Sequence, residues 1–155
     1  MARLRMISRT GRALIALTWA AAAPLEELTG AYTASTEFVT AASRETSTRP
    51  GTMLELRLTV SEADGALTGF LDAQVQHSLL RFAFPVTGVQ LANRVDLAVQ
   101  VNLCLERPIV RLTGAVTGDG AITFAPTAQT ITCNFAAVYL QLPRAVRLVL
   151  QIAPK

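Results

Sequence analysis

A chain of 155 residues is long enough for one domain with a real hydrophobic core. Its formal charge of +3 comes from the start: Arg3, Arg5, Arg9 and Arg12 precede residue 24, whereas all 11 acids follow Ala23 beside 10 bases, leaving 10 − 11 = −1. That balance removes the basic face that phosphate contacts need and argues against nucleic-acid binding.

The four arginines lead into a largely apolar run, Ala13 to Ala23, that ends in small residues. Charged start, short apolar stretch and small-residue end predict a secretory signal peptide over residues 1–23, cleaved near Ala22 or Ala23. The alternative, an uncleaved helix, falls short of the roughly 20 residues that span a bilayer. No Cys follows the run, so a lipoprotein anchor is not indicated. The expected mature unit is a single domain, 24–155, that is secreted or periplasmic and has no membrane span.

Leu28 to Ser35 begins a first strand that extends, on one reading, through Glu37–Thr40. Ser43 to Gly51 is polar and closed by Pro-Gly, which predicts a loop. Leu54, Leu56, Leu58 and Val60 then alternate with Met53, Glu55, Arg57 and Thr59, the period-two pattern of a strand with one buried face. Asp64-Gly65 supplies a tight turn, and Ala66 to Ala73 returns as the second arm of a hairpin. Leu79 to Gly88 is strand-like, with an edge, bulge or break expected at Pro85.

Asn93-Arg94 predicts a turn into the longest alternating run, in which Val95, Leu97, Val99, Val101, Leu103 and Leu105 share one face. Pro108 starts another hairpin, Ile109 to Val116 and Ala121 to Ala128, around Gly118-Asp119-Gly120. Ala136 to Leu142 and Ala145 to Ile152 finish the chain, with Pro143 between them. Pro and Gly recur too often for a long helix, and the strands fall at intervals suited to a meander.

A unit recurs at Leu28-Thr-Gly30, Leu67-Thr-Gly69, Val86-Thr-Gly88 and Leu112-Thr-Gly114, at separations too unequal for a solenoid. Glycines inside strands suggest close backbone approach where a sheet coils into a barrel, although plain composition would also produce the repeat. Lysine is a common guard on sheet edges, and the sole lysine is Lys155. A closed barrel needs no such guard. The fold class expected is all-β, an antiparallel up-and-down barrel of about eight strands.

Cys104 and Cys133 form an even pair in an exported chain, which favours a disulfide over two buried thiols. Two Cys and the single His77 supply too few ligands for a recognisable metal site.

Leu28-Thr-Gly-Ala-Tyr32 resembles the Leu/Ile-Thr-Gly-Thr-Trp opening strand of the avidin/streptavidin family of secreted eight-stranded barrels, and Ala63-Asp-Gly-Ala-Leu-Thr-Gly-Phe-Leu71 is similar to its Asp-Gly turn and Leu-Thr-Gly-Thr-Tyr strand. Ile109 to Phe124 resembles a later hairpin of the same family. Together these pieces cover about a third of the chain. The resemblance implies an avidin-like barrel, but it does not extend to biotin contacts. The family's strand-one Asn falls at Ala34, its Tyr at Leu71 and the following Ser at Ala73, and the one tryptophan, Trp19, lies in the leader. Biotin binding is therefore not expected, because a urea-like oxygen needs converging buried donors.

Catalysis finds little support. His77 and Ser78 are neighbours, which on a strand would point apart. Asp64 and Asp119 sit in glycine turns where a structural role suffices, and nothing in the sequence fixes whether Asp72 and Asp96 meet. Gly118-Asp-Gly120 lacks the strand-to-helix context of a phosphate loop. No catalytic residue, cofactor or metal is assigned. The expected function is non-enzymatic binding of a small apolar ligand, the alternative being a structural or protein-interaction module that oligomerises through its β-surface.

Overall fold

The computed structural model describes residues 27–42 and 51–152. The expected signal peptide and nearly all of the Ser43–Gly51 loop lie outside the described residues. Ten antiparallel strands follow one another: β1 (Gly30–Ala42), β2 (Thr52–Ala63), β3 (Ala66–Val75), β4 (Arg81–Leu91), β5 (Arg94–Gln100), β6 (Ile109–Val116), β7 (Ile122–Phe124), β8 (Thr127–Cys133), β9 (Ala136–Leu142) and β10 (Val146–Leu150). Each of β1 to β6 pairs with the next, β7 pairs with β10, and β10 returns to β1 through Tyr32–Leu150 and Thr33–Val149. The ring of β1 to β7 plus β10 is a closed antiparallel barrel of eight strands, the fold class expected from the sequence.

The two extra strands are continuations. The sequence predicted one strand from Ala121 to Ala128, but the chain breaks at Ala125-Pro126 and resumes as β8 to Cys133. Pro126 cannot donate to a ladder, so the pairing with β6 ends there, its last bond running from the Ala125 N–H to the Thr113 carbonyl at 2.9 Å. Pro143 separates β9 from β10 in the same way. In one half of the barrel β1 therefore lies beside β10, and in the other it lies beside β9, through Val39–Gln141 to Ala42–Val138.

Inward and outward residues alternate as expected. Leu56, Leu58 and Val60 are buried while Glu55, Arg57 and Thr59 are exposed. Charges outside and aliphatic side chains inside are the reverse of the apolar outer band of a membrane-spanning barrel. The half that holds the start of β1 is solid: Leu28, Leu58, Leu67, Val86, Val95, Ile122 and Leu148 are each at most 2 % exposed. Burial of each such side chain contributes about 1.5–3 kcal/mol.

The recurring glycines mark close approach. A Cβ added at Gly69 would lie 1.9 Å from the Thr59 carbonyl oxygen, and one at Gly88 would lie 2.3 Å from that of Asp96. Here neighbouring backbones crowd the inner surface of a coiled sheet, which supports coiling over composition as the reason for the repeat.

Two local expectations are corrected and one is narrowed. The alternating run from Val95 does not continue to Leu105. The strand stops at Gln100, and Val101–Pro108 folds over on itself, with the Cys104 N–H bonded to the Val101 carbonyl and the Arg107 N–H to the Cys104 carbonyl. Leu103 and Leu105 are consequently exposed rather than buried. Of the edge, bulge or break expected at Pro85, the edge is found: β4 runs through it opposite Phe70, but the ladder to β5 ends one step away at Val86–Val99, so the proline is paired on one side only and its missing N–H costs little. The turn expected at Asn93-Arg94 is formed by Ala92 and Asn93, with Ala92 at φ 54°.

Candidate functional site

The other half of the barrel is hollow. A cavity of about 390 Å³ is lined by Leu54 and Leu56 from β2, Leu71, Ala73 and Val75 from β3, Phe82 and Phe84 from β4, Val99 from β5, Val110 and Leu112 from β6, and by residues of β1, β8 and β9. Its size lies within the range usual for small-molecule sites. Phe82 and Phe84, two positions apart on one strand and hence on one face, stack with ring centroids 6.2 Å apart. Apart from the bonded cysteines, the described lining residues carry no ionisable side chain.

The polar side chains of the lining are threonines and glutamines, and the best placed of them is already engaged. Gln129 on β8 accepts the Arg111 N–H at 2.9 Å through Oε1, and through Nε2 donates to the Arg111 carbonyl at 2.6 Å and to Thr127 Oγ1 at 2.9 Å. Beyond Pro126 there is no ladder between β6 and β8, so this one amide stands in for a pair of backbone bonds. Thr36, buried on β1, donates to the Glu37 carbonyl at 3.3 Å.

The same seam is laced at the mouth. Cys104, in the β5–β6 loop, is disulfide-bonded to Cys133 at the end of β8, with Cα atoms 4.8 Å apart, inside the usual range. The Glu106 carboxylate accepts the N–H groups of Asn134 at 2.8 Å and Phe135 at 2.7 Å, and Asn134 Oδ1 accepts the Leu105 N–H at 3.1 Å. Bonding to the Phe135 N–H foremost holds the Glu106 carboxyl below its ordinary pKa. Asn134 and Phe135 form the two-residue β8–β9 turn at φ 50° and 67°. Such a turn needs positive φ at both positions, where Asn is at ease and Phe is not.

Leu71 and Ala73 line the cavity, and Ala34 packs against the core on the same inner surface, in register with Leu56 and through it with Ala73. These three positions present methyl and isobutyl groups to the interior. His77 and Ser78 lie in the β3–β4 turn, not on a strand; Ser78 Oγ accepts the Leu80 N–H at 3.1 Å. Asp72 and Asp96 do not meet, since their partners on β4, Ala83 and Val89, are six positions apart, roughly 20 Å by strand rise.

Asp119 accepts from Thr117 Oγ1, the Ala121 N–H and Arg147, with the Thr117 bond the main cause of its lowered pKa. Arg94 and Thr113 lower that of Asp96 in the same way, on the outer wall. A second concavity, about 700 Å³, lies on the outer face of β1 to β4 among Glu55, Arg57, Asp72, Gln74 and Arg81. It is lined by charged surface, and the apolar space inside the barrel is the stronger candidate.

The disulfide was legible in the sequence. The Gln129 and Glu106 contacts were not, although Pro126 was the available sign that a ladder had to end near β8. No family model matches the chain, nor does any curated protein or solved structure at a significant level.

Proposed function

We propose that the chain is an exported, non-catalytic binding barrel, avidin-like in architecture, which takes a small apolar ligand into its hollow half and does not bind biotin. The observation that carries this reading is the cavity of about 390 Å³, lined by aliphatic and aromatic side chains, in which the Gln129 amide is already bonded to the wall. Apolar burial at about 25 cal/mol per Å² supplies affinity there, and with the Gln129 amide committed to the wall and few other polar groups in the lining, selectivity rests mainly on size and shape. Export is supported by the arginine-rich start and the Cys104–Cys133 bridge.

Native mass spectrometry of secreted protein, followed by calorimetric titration of biotin, tests the reading. Co-purified apolar material with no biotin heat is the expected result, and a saturable nanomolar biotin isotherm would refute the reading of Ala34, Leu71 and Ala73. The alternative, self-association through the outer β-face, draws on exposed Phe70 and Val89. A concentration-dependent oligomer that Phe70→Ser dissolves would favour it.

A further inference from the structure

The exposed apolar side chains are not scattered evenly. Leu79 and Leu80 in the β3–β4 turn, Leu103 and Leu105 in the β5–β6 loop, and Phe135 in the β8–β9 turn all stand at the mouth, with exposures from 55 % to 98 %. Contiguous exposed apolar surface marks interaction sites.

Phe135 is held there at a cost: it occupies a left-handed conformation, and the Glu106 carboxylate fixes the turn by accepting two of its N–H groups. Leu103 is both exposed and part of the cavity lining, so the apolar rim adjoins the interior.

We infer that this rim inserts into an anionic lipid surface, from which the cavity is loaded. Side chains standing on three separate turns form no flat face for a rigid partner, whereas a fluid apolar phase accommodates each of them separately. Among the described residues, Arg81 and Arg107 flank the rim beside the one Glu106 carboxylate, which its backbone N–H partners keep ionised, and this two-to-one balance of cations favours acidic headgroups. The outer wall, carrying Glu55, Arg57, Asp72 and Asp96, stays in water. Loading from the lipid rests on the binding function proposed above, whereas docking rests on the rim alone.

Flotation of the secreted chain with phosphatidylcholine vesicles, with and without phosphatidylglycerol, tests the inference. The protein should float with the vesicles and more strongly with the anionic ones, and a Leu79→Ser, Leu105→Ser, Phe135→Ser triple variant should partition at least about tenfold less. Arg81→Gln with Arg107→Gln should remove the anionic preference.

Ala73→Phe, which fills the cavity, should float normally and lose uptake of the apolar dye N-phenyl-1-naphthylamine, and the triple variant should keep dye uptake from solution. Failure of dye uptake in the native chain would thus strike the binding reading and leave docking standing. A native chain that stays out of both vesicle types, or a triple variant that floats as well as the native chain, would overturn the inference. So would a self-association in solution that the triple variant abolishes while the native chain ignores vesicles.

Discussion

Gln129 illustrates how one side chain can complete a barrel. Its amide carries the same donor and acceptor pair that a facing strand would offer, and it meets both groups of Arg111. Gln129→Ala strands that N–H and carbonyl at a partly exposed seam, where a lost backbone pair costs about 1–2 kcal/mol. Urea unfolding should show a lower midpoint with an unchanged slope. An unchanged midpoint would mean that water replaces the amide without loss. Phe135 makes the opposite case. At φ 67° and 87 % exposed, it bears conformational strain with little packing to offset it. Phe135→Asn should therefore raise stability by up to about 1 kcal/mol while weakening any function of the rim. A destabilised variant would show that the ring packs on something in the folded chain.

At the scale of elements, the seam between β6 and β8 is closed at three heights: by the Ala125–Thr113 backbone bond, by Gln129, and by the knot of Cys104–Cys133 with Glu106. The disulfide closes a loop with a sequence separation of 29, for which chain entropy gives about 3–4 kcal/mol. Reduction under native conditions should lower the unfolding free energy by about that amount, and equal stability with and without reductant would contradict it. Glu106 adds a pH dependence whose sign is fixed. Its pKa is lowered in the folded chain, so its contribution is fully present above the ordinary value of 4.5 and is lost as pH falls through the depressed folded value. Glu106→Gln should flatten the acid limb of the stability profile, and a profile that keeps its slope would assign that limb to Asp96 or Asp119 instead. The same region shows where sequence reading loses reach. The alternation from Val95 to Leu105 is unbroken on paper, yet the strand ends at Gln100, because a bridge to Cys133 and a turn before Pro108 draw the chain across the mouth. Periodicity records which faces can be buried, and long-range covalent closure decides whether they are.

For the molecule as a whole, the class, the meander and the closure were legible because each rests on local signals: Leu54–Val60 alternation, the Asp64-Gly65 turn, and glycines at Gly69 and Gly88 that coiling demands. The division into a solid and a hollow half was not. Leu54 and Leu58 read alike in a sequence, and only their heights in the barrel, four residues apart along β2, place one on the cavity wall and the other in the core. The central claim is that the hollow half receives an apolar ligand. Fluorescence titration of N-phenyl-1-naphthylamine against the protein and its Ala73→Phe variant tests it most directly, since Ala73 is 5 % exposed and faces the cavity. Saturable, stoichiometric enhancement in the native chain, weakened about tenfold or more in an equally stable variant, is the predicted result. Equal binding by both proteins, or none by the native chain, would contradict the account.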